Sequence, residues 1–270
     1  MNEHGKLIKK LADILAVVLI VMIVGGIVSA TGILSGIISP SDSDAPTEEL
    51  ILNPTDVYEL DMEVGSANII FAKSDTFRIE ADADSFKLRN KDGKVKIEEK
   101  GNIFALKTNR RVTVYLPENF CFNKVSLETG ASGINGELLC TEYLELDIGA
   151  GSITLEKLDV TKKAEIDCGA GQFIVKSGTL HNLDFSLGVG GADIAAELKS
   201  KADIESGVGE LKLTLPDSKD NYTFDIETGL GSISYDGASV KGETLLGNGA
   251  TKVKLEGGVG NVEIYFTAAA

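Results

Sequence analysis

From residue 125 onward the chain returns about every 20 residues to one phrase: an alternating apolar run, a Gly-x-Gly, and a second alternating run. The copies read VSLETGASGI from Val125, LELDIGAGSITL from Leu144, AEIDCGAGQFIV from Ala164 and LDFSLGVGGADI from Leu183. They continue as ADIESGVGELKL from Ala202, FDIETGLGSISY from Phe224 and VKLEGGVGNVEI from Val253, with a degenerate copy, LDMEVGSANIIF, from Leu60. The first glycines of the regular run, Gly130, Gly149, Gly169, Gly188 and Gly207, are separated by 19, 20, 19 and 19 residues. Later steps of 22 and 29, to Gly229 and Gly258, imply insertions. The repeat also accounts for much of the glycine excess, 30 of 270 residues.

The register inside each copy is strict. With the first glycine as zero, positions −5, −3 and +4 are apolar in every copy, as in Leu144, Leu146 and Ile153. Period-two alternation on both sides of a Gly-x-Gly reads as strand, tight bend, strand. A unit of this size cannot bury its own apolar face, but stacked copies can. The expectation is therefore an all-β, parallel β-solenoid of ~20-residue rungs, about 4.8 Å apart and right-handed by the general crossover preference. Propellers need longer repeats, and leucine-rich repeats need an Asn/Leu signature.

Residues 55–124 read as an N-terminal capping β region before the solenoid proper, 125–270. TFRIEAD, SFKLRNK, KVKIEEK and RRVTVYLP look like strands of an antiparallel opening sheet, with Asp92-Gly93 a hairpin turn. The last strand, VEIYF, is expected at the far edge of the stack, covered by residues 236–252 or open for pairing.

The amino terminus is of a different kind. Residues 1–13 form a short tail with Lys6, Lys9 and Lys10. No charge occurs from Ile14 to Ser41, and 14–38 reads as a transmembrane helix. Lysines before the span and Asp42, Asp44, Glu48 and Glu49 after it predict a single-pass cell-membrane protein, amino terminus cytoplasmic and body extracytoplasmic. The alternative is a cleaved signal peptide ending near Val28-Ser29-Ala30. Gly32 and Gly36 form a GxxxG, read as ordinary span glycine. Residues 39–54 read as a linker, solvated where Ser, Asp and Pro are dense.

The phrase VTVYLPENF, followed by LETGASGI and the DIGAG-like units, resembles the toastrack family, the putative-adhesin β-strand-repeat proteins. The resemblance covers roughly 55–270. It implies a role in the cell envelope beside membrane-embedded partners, in some members within envelope-stress systems, and it brings no catalytic residues.

Position −2 is acidic in seven copies: Glu63, Glu128, Asp147, Asp167, Glu205, Glu227 and Glu256, with Ser186 the exception. Position −4 is acidic in six: Asp61, Glu145, Glu165, Asp184, Asp203 and Asp225. Stacking would set like charges about 5 Å apart in two outward columns. The column Glu128, Asp147, Asp167, Glu205 and Glu227 is thus a candidate for divalent cations, Ca²⁺ in particular. The competing reading is a solvated face partly neutralised by Lys157, Lys162, Lys163, Lys176, Lys199 and Lys201. No copy has a calcium-loop signature, and Gly190–Ile194 resembles a calcium nonapeptide only once and off period.

Cys121 and Cys140 both fall at position −9, in a column continued by Val160, Thr179 and Leu198. They read as buried packing thiols, with a disulfide between neighbouring rungs as the alternative; Cys168, at −1, reads as core. A net charge of −15 excludes nucleic acid as partner. His4 and His181 have no nucleophile partner in the pattern, and the Gly-x-Gly units open no helix for a nucleotide. No enzyme, cofactor or resident metal is expected. The function expected is that of a binding module: an envelope-stress or signalling accessory docking on a membrane partner. The alternatives are a surface adhesin or structural envelope protein, and a polysaccharide-modifying enzyme.

Overall fold

The computed structural model describes residues 47–100 and 110–267. Among them no helix is long and apolar enough to cross a membrane; the expected span, 14–38, lies outside the described residues, as does the tail before it.

The first part of the chain forms β1 (Thr47–Ile51), β2 (Glu59–Val64), β3 (Asn68–Lys73), β4 (Arg78–Asp82), β5 (Phe86–Lys91), β6 (Lys94–Glu99) and β7 (Arg111–Leu116). Long strands follow, each one complete copy of the repeat bent at its glycines: β8 (Phe122–Gly136), β9 (Leu139–Leu155), β10 (Leu158–Val175), β11 (Gly178–Ala195) and β12 (Glu197–Leu215). Next come β13 (Tyr222–Glu227), β14 (Leu230–Tyr235), β15 (Ala238–Val240), β16 (Glu243–Gly247) and the long bent β17 (Thr251–Phe266). All belong to one sheet.

From β8 to β12 each strand pairs parallel with the next, glycine over glycine and apolar over apolar. The inward columns form one core. Leu146, Ile166, Phe185 and Ile204 line it before the bend, and Ile153, Phe173, Ala192 and Leu211 after it. Large and small residues alternate: Phe173 packs on Phe185 at 5.2 Å, and Ala192 sits beside Phe173 in the next rung. Aromatic clusters fill both ends, Phe77, Phe120 and Phe122 at one and Tyr222, Phe224, Tyr235 and Phe266 at the other.

Three expectations are corrected. Residues 47–51, read as linker, are a strand: β1 pairs antiparallel with β4. The opening region is mixed, not antiparallel throughout. The degenerate copy β2–β3 is a full rung lying parallel between β8 and the pair β6–β7. Only β4, β5 and β1 supply antiparallel pairing, with Asp92 and Gly93 at φ 51° and 81° in the β5–β6 turn. Finally, β17 is not the edge. It inserts between β12 and the pair β13–β14, whose outer side β16 and β15 cover antiparallel. Residues 236–252 do cover an end, but that of the preceding copy.

The cysteine expectation is also overturned: Cys121 and Cys140 form a disulfide, with Cα atoms 4.6 Å apart. Counting back from the glycines put both in an interior column with Val160. The backbone register puts Cys140 opposite Asp159 instead, because β10 carries an extra residue between Val160 and Lys163. A one-residue slip exchanges the two faces of a strand. The true column, Cys140, Asp159, Thr179 and Glu197, faces outward. Cys168 is buried, as expected, and its burial pushes the thiol up to about 12.

In the second glycine column, Gly190 has φ 140°, and a Cβ there would lie 1.9 Å from the Gly171 carbonyl oxygen. The adjacent Gly191 has only the Glu210 carbonyl at 3.9 Å. Gly190→Ala should therefore lower stability by about 3 kcal/mol or more, and Gly191→Ala by under ~0.5 kcal/mol. Paired thermal melts check this contrast. The denatured, unreduced protein should titrate a single thiol, Cys168; replacing both bridging cysteines by serine should cost about 3 kcal/mol in urea unfolding.

Candidate functional site

Parallel register turns every outward position into a row running along the stack. Position −2 gives Glu63, Glu128, Asp147, Asp167, Ser186, Glu205, Glu256 and Glu227, in that spatial order. The expected column is thus real, with Glu256 lying between Glu205 and Glu227. Glu128, Asp147, Asp167, Glu205 and Glu227 are exposed and have no ion-pair or hydrogen-bond partner among the described residues. Burial first, and then the charges of Asp147, Asp184, Glu165 and Glu205, hold the Asp167 carboxyl above the ordinary aspartate range.

The −4 row behaves differently. Lys96, Ser126 and Lys254 interrupt it, in register with Asp61, Glu145 and Asp203. Its acids are matched by a lysine row at −6: Lys94, Lys124, Lys163, Lys201 and Lys252. Lys124 pairs with Glu145 at 2.7 Å, Lys163 with Glu165 at 2.6 Å, Lys94 with Asp61 at 2.8 Å, and Lys201 with Asp203. The Lys124 hydrogen bond is the main cause of the lowered Glu145 pKa. Of the lysines expected to neutralise the acidic columns, only Lys163 and Lys201 do so. Lys157, Lys162, Lys176 and Lys199 pair with Asp159, Glu142, Glu156 and Glu197 elsewhere. Asp193, the acid of the calcium-like stretch, pairs with Lys212 at 3.1 Å.

On the other side of the −2 row, the residue between the two glycines forms an apolar ridge. It runs Ala131, Ala150, Ala170, Val189, Val208, Val259, Leu230, growing in size toward the carboxyl-terminal end. Val259 is 42% exposed and Leu230 76%. The row is present in the sequence at position +1 of the copies, as Ala131, Ala150, Ala170, Val189, Val208, Leu230 and Val259.

A second feature was not legible in the motif. Arg110 and Glu99 form a buried ion pair at the first bend, and the other Glu99 oxygen accepts the Gly65 N–H at 2.7 Å. Arg110 also lies 6.0 Å over the Phe86 ring. The pair closes the glycine column at the end where the copy β6–β7 has no Gly-x-Gly.

Among the described residues, no three His, Cys, Asp or Glu side chains are arranged to hold a metal ion. The −2 row spreads its carboxylates one per rung instead of converging them. His181 sits in β11 opposite Lys199. What the rows offer is a linear acidic surface, unpaired at Glu128, Asp147, Asp167, Glu205 and Glu227 and paired at Glu63 and Glu256, flanked by an apolar ridge and a salt-bridged strip.

Stacked Gly-bend rungs with outward rows define a β-strand-repeat scaffold. The profile of the Toastrack DUF4097 family matches residues 59–264, and the chain belongs to that family. Among solved structures, it is similar to a "putative cell adhesion protein" from Clostridium sporogenes ATCC 15579, at 18% identity and TM-score 0.38, covering 82% of this chain and 99% of that one. It is also similar to a "putative adhesin" from Bacteroides fragilis NCTC 9343, at 14% identity and TM-score 0.36, covering 84% and 99%. A third is a "putative adhesin" from Parabacteroides distasonis ATCC 8503, at 15% identity and TM-score 0.33, covering 82% and 98%. No curated protein matches the chain.

The raised Asp167 pKa has a definite sign. The folded state holds its proton more tightly than the unfolded chain does. The resulting stabilisation is full below the ordinary aspartate value and is lost as pH rises through the raised one. Asp167→Asn should therefore raise the melting temperature by about 1–2 °C at pH 7 and low salt, with no gain at about pH 3.5. An equal gain at both pH values would mean that the row carries no repulsion.

Proposed function

We propose that the chain is a membrane-anchored, extracytoplasmic binding module. The span 14–38 holds it, and the solenoid presents its outward rows to a protein partner in the envelope, as a stress or signalling accessory does. One observation carries the reading: unpaired Asp147, Asp167, Glu205 and Glu227 recur along one row, beside the ridge from Ala131 to Leu230. Such a strip complements an extended partner segment that is basic on one side and apolar on the other. Ion-pair formation steers the encounter, and the ridge supplies apolar area. Because the rows are long and regular, affinity can build by adding rungs.

Two further facts support the setting. The Cys121–Cys140 disulfide suits an oxidising compartment outside the cytoplasm. The lysines before the span and the carboxylates after it suit the same orientation. In this reading the protein acts by binding and makes or breaks no covalent bond.

Photo-crosslinking of the full chain in intact cells, from probes at Ser186 and Val208, should yield adducts with membrane proteins. Adducts with external ligands alone would favour a surface adhesin instead. Deleting residues 1–38 should release the protein from the membrane pellet; a deletion variant that still pellets defeats the anchor.

A further inference from the structure

Among the described residues, four strands have a paired neighbour on one side only: β1 and β5 at one end of the stack, β15 and β16 at the other. An edge strand offers a row of unpaired N–H and C=O groups to any extended chain, unless charge or shape blocks it. At the first end charges stand along both edges, Glu48 and Glu49 on β1 and Lys87, Arg89 and Lys91 on β5. At the second end the edge reads ASVKGETLLG from Ala238 to Gly247. It has no proline, and its only charged residues are Lys241 and Glu243. Leu245 stands 70% exposed on it.

This edge is complementary to itself. β15 and β16 lie on either side of a corner at Gly242, which has φ 68° and donates its N–H to Thr228 Oγ1 at 2.9 Å. A Cβ at Gly242 would meet nothing within 4 Å, so the corner is open. When two copies meet antiparallel about Gly242, Val240 stands opposite Thr244 of the second copy, and Ala238 opposite Leu246. All four lie over core positions, Ile233, Ile226, Tyr235 and Phe224. Ser239, over Ser234, stands opposite Leu245, over Asp225, both on the outward side. Lys241 stands opposite Glu243. In a single copy these two side chains have no partner among the described residues, and Glu243 lies beside the like charge of Glu227. Sliding one copy by a residue reverses its faces. Centring the pair on Lys241 or Glu243 instead keeps the faces, but sets that charge against its own copy and takes the corners out of line.

We infer that two copies of the chain join end to end through β15 and β16, antiparallel about Gly242. The two stacks then form one continuous sheet, with the two β1 strands at its far ends. The contact is five residues of β16 and three of β15 from each copy, a size that belongs to reversible association. Around the edge, Asp220, Asp225, Glu227 and Asp236 outnumber Lys219, so two such ends repel at a distance. At physiological salt that repulsion is screened beyond about 8 Å, while Lys241 and Glu243 meet in direct contact. The inference does not depend on the membrane anchor.

The test is the mass of the full chain in detergent at about 100 µM, by analytical ultracentrifugation, with cysteine crosslinking to fix the register. The unaltered chain should dimerise. Leu245→Lys should weaken dimerisation roughly thirtyfold, because the change acts at two symmetry-related places, and should leave the melting temperature of the dilute protein unchanged. Lys241→Glu and Glu243→Lys should each weaken it about tenfold, and the double exchange should restore it. Chains carrying Ser239→Cys mixed with chains carrying Leu245→Cys should crosslink on oxidation. Neither should crosslink alone, since each position is six residues out of register with itself. A chain that stays monomeric overturns the inference. A dimer that Leu245→Lys leaves intact assigns association to another face and overturns it too. Crosslinking of Leu245→Cys with itself assigns a different register and also overturns it.

Discussion

The close approach of backbones at the glycine bends governs this molecule. At Gly151, Gly171, Gly190, Gly209, Gly231 and Gly260, a Cβ would fall within 2 Å of the carbonyl oxygen one rung back. Side chains are excluded there, so the corners of successive rungs can stack at full strand spacing. The register follows: once glycine must sit over glycine, every other position is fixed against its counterpart. Rows of like residues are then a consequence and not a separate design. The apolar rows make the core. The outward rows make the surface, including a line of carboxylates that no local rule of strand pairing favours.

The two ends solve a common problem in the same way. A parallel stack leaves an open edge at each end. At the start, β2–β3 lies between β8 and the later pair β6–β7, and β5, β4 and β1 close the face antiparallel. At the finish, β17 lies between β12 and the earlier pair β13–β14, and β16 and β15 close the face. Both ends therefore place chain-distant segments between sequence neighbours. The final rung pairs on both sides, so the carboxyl-terminal copy completes the stack and does not merely extend it. Loop closure over this separation makes it a slow, late step of folding on general grounds.

Much of this was legible in the sequence, and the limits are instructive. Gly-to-Gly counting gave the rungs, the interior columns and the −2 row, because nothing between the −5 position and the bend disturbs the register. It failed for Cys121 and Cys140 because the extra residue after Val160 lies between those cysteines' column and the glycine used as ruler. The spatial order of the last copies was invisible for a different reason. Each copy presents the same glycine column and the same apolar rows, so any copy fits on any other. Local patterns cannot choose; the aromatic cluster of Phe224, Tyr235 and Phe266 does. The lysine row at −6 is faint in the sequence because Glu59, Tyr143, Asn182 and Thr223 interrupt it.

The charge layout then separates what the fold needs from what it merely carries. Asp61, Glu145, Glu165 and Asp203 of the −4 row are paired with lysines of the −6 row, and these solvent-accessible pairs each contribute little to stability. Within the −2 row Glu128, Asp147, Asp167, Glu205 and Glu227 are left without cations, whereas Lys96 reaches Glu63 and Lys254 reaches Glu256; burial first, and then the charges of neighbouring acids, raise the Asp167 pKa. Ser186 occupies the same row in β11 with its neighbours undisturbed, so the position does not require a carboxylate for stacking. A row of mildly destabilising charges, in a place where a neutral residue fits, is a property of the surface and not of the core. Together with an apolar ridge that enlarges from Ala131 to Leu230 along the same bends, it gives the solenoid a chemically graded long edge. The glycine columns, which make the stack possible, are also what bring that edge into line.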